Sequence, residues 1–283
     1  MIQTFLRSFI PAAWLGWQIE SNWTEPLLFL AFSVLRPLAS VMILVFMFRS
    51  VARVGTDSPL YGYIFLGNAF YVYVVAIMAG ASFSILDDRE RYRSLKYIYI
   101  APVHIPSYLF GRAMARFLTG TIAVVITVIV GVLVLNVPIH PFQVNWPMFI
   151  AAMLLGVISL GSMGIILGSL TLTIRSEAWF LGEATAGALA LFSGAVFPVT
   201  LLPRYLQPIG FVLPMTYWLE LVRRALLGPA AVGFPTLAAF GNTELFAILS
   251  SLTAAFSVAA LLAFRYFDRV AREKGLIDVQ SNF

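Results

Sequence analysis

The chain has no cysteine, only two histidines and few charges: Asp, Glu, Lys and Arg make up 11% of its 283 residues, against 60% hydrophobic ones. Each scarcity excludes something. Without cysteine there is neither a disulfide framework nor a thiolate metal site, and the redox compartment leaves no mark. His104 and His140 are expected on opposite sides of a membrane, so no metal or catalytic site is expected between them. No Ser/His/Asp constellation, metalloprotease motif or pair of intramembrane aspartates is visible, which sets intramembrane enzymes aside.

What is abundant is apolar. So little polar surface cannot cover a soluble globule of this length, and lipid must be the main solvent. Six stretches approach or exceed the roughly 20 helical residues needed to cross a hydrocarbon core. They run Leu27 to Phe48, Tyr61 to Leu86, Ile105 to Leu135, Met148 to Ile174, Trp179 to Val199 and Leu245 to Phe267. Isolated segments in lipid must satisfy their own backbone, and the alternation of a barrel strand is missing. The expected fold is an all-α integral membrane protein, a bundle of six transmembrane helices. Residues 1–26 form an N-terminal segment, 27–267 the membrane domain and 268–283 a tail.

Cations orient the bundle. With the N-terminus in the cytoplasm, that side receives Arg7, Arg89, Arg91, Arg93, Lys96, Arg112, Arg116, Arg175, Arg265, Arg269, Arg272 and Lys274. The far side receives Arg49, Arg53, Arg204, Arg223 and Arg224, and Arg36 is unassigned. This bias places both termini in the cytoplasm. The first 25 residues do not read as a cleavable signal peptide, because Thr4 to Glu20 contains no uninterrupted apolar core and no small-residue cleavage pattern. Phe5, Phe9, Trp14 and Trp17 point instead to an amphipathic interfacial helix, with a break expected at Pro11. The Asn22-Trp23-Thr24 sequon is irrelevant on the cytoplasmic side.

Between the second and third spans lies a charged island, Asp87-Asp88-Arg89-Glu90-Arg91-Tyr92-Arg93-Ser94-Leu95-Lys96, followed by Tyr99 and Ala101-Pro102-Val103. In helical register Leu86, Tyr92, Leu95 and Tyr99 share one side, with Arg89, Arg93 and Lys96 on another. That predicts a short amphipathic helix within residues 87–100, about 18 Å long if it has about 12 residues. A solvated loop carrying topology-setting arginines is one reading. Its mixed signs and aromatic residues favour the other, a docking helix with apolar anchors and salt-bridge partners.

A second unusual region spans residues 198–228. Pro198, Pro203, Pro208 and Pro214 interrupt it, and Glu220, Arg223 and Arg224 charge its end. Short re-entrant helices at an external gate are one reading, and a connector resting on the membrane surface is the other.

Two passages carry a resemblance. The first is Asp88-Arg89-Glu90-Arg91 through Ser94-Leu95, Ala101-Pro102-Val103 and Leu109-Phe110-Gly111-Arg112. The second is Ser193-Gly194, Phe197-Pro198, Leu202-Pro203, Pro214-Met215-Thr216-Tyr217 and Leu227-Gly228. In this order, with six spans and an N-terminal interfacial helix, the whole chain resembles the permease subunit of an ABC-2 type ATP-binding-cassette exporter, a group of bacterial drug, antibiotic and polysaccharide export systems. Many relatives resemble Glu-Arg-Glu-Xaa-Gly-Thr-Leu-Glu where this chain reads Arg89-Glu90-Arg91-Tyr92-Arg93-Ser94-Leu95-Lys96. Arg93 replaces Gly and Lys96 replaces an acid, so the partner groove is expected to be more acidic than usual.

The resemblance implies that Asp88, Arg89, Glu90, Arg91, Tyr92, Arg93, Ser94, Leu95, Lys96 and Tyr99 form a coupling helix seated in a separate ATPase subunit. It further implies two permeases, expected to be a homodimer, with two ATPase copies, in a bacterial-type cytoplasmic membrane. No Gly-Xaa4-Gly-Lys-Ser/Thr loop occurs in the chain, so ATP and Mg belong to the partner and no cofactor is expected here.

Candidate pathway or gate residues are Phe70, Tyr71, Tyr73, Glu183, Phe197, Pro198, Leu202, Pro203 and Tyr217. Phe70, Tyr71 and Tyr73, with Phe65, either line a cavity for an amphipathic substrate or belong to an aromatic belt. Glu183 is either a functional intramembrane carboxylate or one that reaches the interface or pairs with Arg175 or Arg116. Gly161, Gly164 and Gly168 permit close helix packing, within the subunit in preference to a dimer seam. The alternative of a different class is an ion-coupled secondary transporter without an ATPase, which calls for inverted repeats and several buried ionisable groups.

Overall fold

The computed structural model describes residues 2–21, 35, 38, 39, 41–43, 46, 59–174, 179–231 and 237–277. Most of the first expected span lies outside the described residues, as do Arg36, Arg49, Arg53, Arg175 and the sequon. The helices are α1 (Ile2–Ser21), α2 (Pro59–Leu86), α3 (Leu95–Ile100), α4 (Ile105–Leu133), α5 (Trp146–Thr171), α6 (Trp179–Phe192), α7 (Gln207–Val212), α8 (Pro214–Leu227) and α9 (Asn242–Glu273). No strand occurs among the described residues.

Four of these, α2, α4, α5 and α9, are long and apolar enough to cross a bilayer. The 29 residues of α4 extend about 43 Å, against a hydrocarbon core of about 30 Å. Its surplus of about 13 Å, about two and a half turns, takes in Arg112, with Arg116 one turn further on; the stretch from Phe117 onward is free of charge. Proline starts several helices where its missing N–H costs nothing: Pro106 in α4, Pro147 in α5 and Pro214 in α8. The Asn145 side chain also accepts a hydrogen bond from the Met148 N–H at 3.1 Å, capping α5.

At the centre stands α2, which lacks a polar face and packs against α4, α5, α6 and α8. Gly164 and Gly168 of α5 lie against Ile77 and Ala81 of α2, so these small residues serve packing within the subunit. The other flank of α5 holds α9 and α8. A large apolar core fills the bundle. A second, separate core gathers Ala12, Ile85, Leu95, Tyr108, Leu109, Leu172, Phe264 and Ala271 at the end bearing the charged island. Leu276 joins it because Gly275, at φ +62°, turns the chain back after α9.

Two expectations about helix limits are corrected, and one of two open readings is set aside. The break expected at Pro11 does not occur, and α1 is continuous, running along α4 with Ala12 and Gly16 against Gly111 and Ala115. Its Glu20 pairs with Arg116 at 2.8 Å. The fifth expected span stops at Phe192 instead of Val199, giving 14 residues, because Ser193 and Gly194, at φ +72°, turn the chain. Finally, α8 does not rest on a surface: nearly every side chain from Pro214 to Leu227 is buried.

Candidate functional site

α2 does not end cleanly. It runs into a π-helical turn, Asp87–Arg91, in which the Tyr92 N–H donates to the Asp87 carbonyl at 2.7 Å. The chain then breaks at Arg93, whose φ of +51° lies in the left-handed region, before α3 begins. The single amphipathic helix expected here is therefore two pieces. A π-turn adds one residue to the hydrogen-bonded ring and rotates everything beyond it, which is why the simple helical register misplaced Arg89 and Tyr92. Glycine adopts φ near +50° without strain, whereas a residue with a Cβ, such as Arg93, does so at a cost.

The island divides by direction. Asp88 and Arg89 are buried. The Asp88 carboxylate accepts from the Tyr108 hydroxyl at 2.6 Å and from Ser94 Oγ at 3.4 Å, and stands 3.7 Å from Arg112 Nη1. Arg89 donates to the Ile174 carbonyl at 2.9 Å and to Glu90 at 3.1 Å, tying the turn to the end of α5. Leu95 sits in the second core. Tyr99 packs beside α9, with the Arg272 guanidinium 4.8 Å above its ring; Arg272 also pairs with Asp268 at 3.0 Å. Burial, then the charge of Asp268, push the Tyr99 hydroxyl above its usual range.

Facing out are Arg91, Tyr92, Arg93 and Lys96, joined by two residues that sequence reasoning missed, Tyr97 and Ile100. Ile100 is 82% exposed and Tyr97 65%. Arg91 lies over Tyr92 and Lys96 over Tyr97, at 5.4 and 5.7 Å. No acid of the island is fully exposed, so the outer face presents three cations, two aromatic rings and an aliphatic tip. Of the ten residues nominated for coupling, Asp88, Arg89, Leu95 and Tyr99 hold the turn in place, Ser94 and Glu90 lie at its edge, and four meet solvent.

The nominated pathway residues are not gathered in one place. Phe70 and Tyr73 floor a groove between α4 and α5, whereas Tyr71 points to α6 and donates to the Ala186 carbonyl. Glu183 is exposed on α6. Pro198 and Leu202 are buried, Phe197 is half-buried and Pro203 exposed. Tyr217 donates to the Phe211 carbonyl at 2.9 Å, so it braces α8 on α7.

The α8 charges, read from sequence only as the end of an interrupted segment, form a clamp in which Glu220 and Arg223 are buried and Arg224 partly so. Arg223 donates to the carbonyls of Tyr63 (3.0 Å), Gly194 (2.8 Å) and Ala195 (3.3 Å), with its guanidinium 3.6 Å from the Tyr63 ring centre. Arg224 pairs with Glu220 at 3.0 Å and reaches the carbonyls of Leu237 and Phe240 and the Asn242 side chain. The i, i+4 spacing of Glu220 and Arg224 was the available signal. The two arginines fasten α8 to α2, to the turn after α6 and to the start of α9.

No curated protein matches the chain. A family model described as ABC-2 type transporter matches residues 13–227, a range that includes the charged turn, α2 to α7 and all of α8. With its helices of membrane-crossing length, the chain is a multi-pass membrane protein that belongs to the ABC-2 type transporter family, as a permease component of an ABC transporter.

Proposed function

We propose that the chain is the membrane subunit of an exporter driven by a separate ATPase, with six spans, both termini cytoplasmic and α7 and α8 forming a re-entrant cap on the outer side. Two copies pair as a homodimer in a bacterial-type cytoplasmic membrane, and each seats one ATPase subunit on its charged turn. Closure of the ATPase pair on ATP and Mg moves these turns and switches access to a translocation pathway.

The observation that carries this reading is the construction of the turn. A loop that only sets topology needs exposed cations and nothing more. This one buries an aspartate and an arginine to hold a face of Arg91, Tyr92, Arg93, Lys96, Tyr97 and Ile100 in a fixed shape. Fixed aromatic and cationic anchors are what a protein groove recognises. A second copy fits the free face of α6, where Glu183, Ala184, Gly187, Ala188 and Leu191 are exposed; this places Glu183 at the seam.

The decisive experiment is co-purification with a candidate ATPase subunit. The triple change Arg91→Glu, Arg93→Glu, Lys96→Glu is expected to abolish permease-stimulated ATP turnover while the unfolding temperature stays near wild type. Transport that persists without any ATPase and collapses with the proton or sodium gradient would instead establish the ion-coupled alternative. External labelling of a cysteine placed at position 94 would overturn the orientation.

A further inference from the structure

α4 and α5 are joined by the short connection of residues 134–145, yet they part to leave a groove of about 650 Å³. Its floor is built of aromatic rings that fix one another. Tyr73 of α2 stacks on Phe117 of α4 at 4.4 Å, and Phe70 meets Phe149 and Trp218 edge-on at 6.0 and 6.3 Å. Val125 and Ile129 on one lip, with Ile150, Leu154 and Ile158 on the other, are exposed. The hydroxyls within reach are already engaged: Tyr73 donates to Thr121 at 3.2 Å, and Thr121 donates to the Phe117 carbonyl at 2.9 Å. Among the described residues, the groove between its ends offers a polar ligand little to bond, the Trp146 indole standing at one end.

The groove has two unlike ends. Near the charged turn, the Phe110 ring packs so closely on Gly161 that a Cβ there would come within 2.2 Å of it. At the other end Trp146 is 53% exposed, in the setting where indole rings mark the headgroup level. From Met114 to Ile129 the α4 wall rises about 22 Å, most of a hydrocarbon core of about 30 Å. The direction of the mouth decides what covers it. Tyr71 points to α6 while Phe70 and Tyr73 floor the groove, so α6 lies on a different side of α2. Resting on the dimer reading above, a second copy on α6 leaves the mouth open to the bilayer.

We propose that this groove binds one acyl chain of a membrane lipid, with the headgroup beside Trp146 and the chain running past Phe149, Met153 and Val157 toward Phe110. The site selects hydrocarbon by shape, in a volume within the range of small-molecule pockets. Occupancy fills the gap between α4 and α5 and braces them against α2.

The test uses the purified full chain in nanodiscs containing phosphatidylglycerol with a diazirine at its acyl terminus, and maps the photo-adducts by mass spectrometry. Adducts are expected to concentrate on Met114, Met153 and Val157. Filling the groove with Val157→Trp is expected to lower them about tenfold, whereas Leu262→Trp on the exposed face of α9 leaves them unchanged. Ile150→Trp, at the exposed lip, repeats the test should the first variant not fold. Equal labelling of Leu261 and Leu262, or adducts that survive both groove variants, would overturn the proposal. So would an intermolecular disulfide through Leu154→Cys, or absence of adducts with residues 22–58 cross-linking to the groove, since protein then covers it. Failure of the ATPase partnership leaves the labelling pattern untouched, so the two readings fail separately.

Discussion

Tyr108 and Asp88, twenty residues apart in sequence, meet at 2.6 Å, the phenol donating to a carboxylate that is 1% exposed. The contact fastens the end of α2 to the start of α4 and closes the charged turn on its own stem. Arg112, one helical turn beyond Tyr108, adds its charge at 3.7 Å and is itself buried.

Asp88→Ala should therefore destabilise the protein by about 3–5 kcal/mol, because it leaves the Arg112 guanidinium buried without its carboxylate. Tyr108→Phe removes one hydrogen bond to a charged group and should cost about 1.5–3 kcal/mol. Unfolding in detergent, followed by tryptophan fluorescence, gives both values. An Asp88→Ala protein that melts with wild type would show that the clasp contributes nothing.

Arg93 occupies φ +51°. Left-handed backbone costs a residue with a Cβ about 1–2 kcal/mol and costs glycine almost nothing. Arg93→Gly is expected to raise stability by up to about 1 kcal/mol, with Arg93→Val lowering it. The glycine variant also removes an outward cation, so affinity for the proposed ATPase partner should fall while the melting temperature rises. Those opposite movements separate the role of the backbone from that of the side chain. Parallel movements would sink the assignment.

Gly67 illustrates how tightly the α8 clamp is built. A Cβ at this position would lie 2.0 Å from Arg223 Nη2 and 2.1 Å from the Ala195 carbonyl oxygen. Gly67→Ala must displace backbone as well as a side chain, so it should be at least as damaging as Arg223→Ala, for which about 3–5 kcal/mol is expected from the lost charged hydrogen bonds and stacking. The double variant should cost less than the sum, since both changes break one network. Melting temperatures of the three variants decide the matter.

The long spans were legible because their signal is additive over twenty or more residues. Tyr61 to Leu86 became Pro59–Leu86, and Ile105 to Leu135 became Ile105–Leu133. What could not be read depended on single residues acting at a distance. The direction of Arg89 depends on a π-turn that no periodicity announces. The burial of α8 depends on Arg223 finding carbonyls 160 and 29 residues away, and prolines at its flanks look the same in a buried cap as in a surface connector. Tyr97 and Ile100 were passed over because an exposed apolar residue in a lipid-loving chain carries no contrast against its background. Tyr71 and Phe70 are neighbours in sequence, yet one braces α6 and the other floors the α4–α5 groove, a division that a list of aromatic residues cannot make.

The Tyr99 hydroxyl supplies a test in pH. Burial first, then the negative charge of Asp268, raise its ionisation above the ordinary tyrosine value near 10, with Arg272 opposing in part. In the folded state the phenol thus stays protonated where the unfolded chain has begun to lose its proton. The unfolded state then binds fewer protons, so the contribution of Tyr99 is fully present below about pH 10 and falls as pH rises beyond it, by at most about 1.4 kcal/mol per unit. Tyr99→Phe, which keeps the ring beneath Arg272, should lose less stability than wild type between pH 9 and about 11. Tyr99→Ala, which also removes the half-buried ring from beneath Arg272, should cost about 2–3 kcal/mol below pH 10 and less above it. Melting curves of the three proteins across this range isolate the share of Tyr99. A phenylalanine variant that tracks wild type through pH 11 would mean that the hydroxyl ionises as freely in the folded protein as in the unfolded chain, and that α3 does not press Tyr99 into the second core.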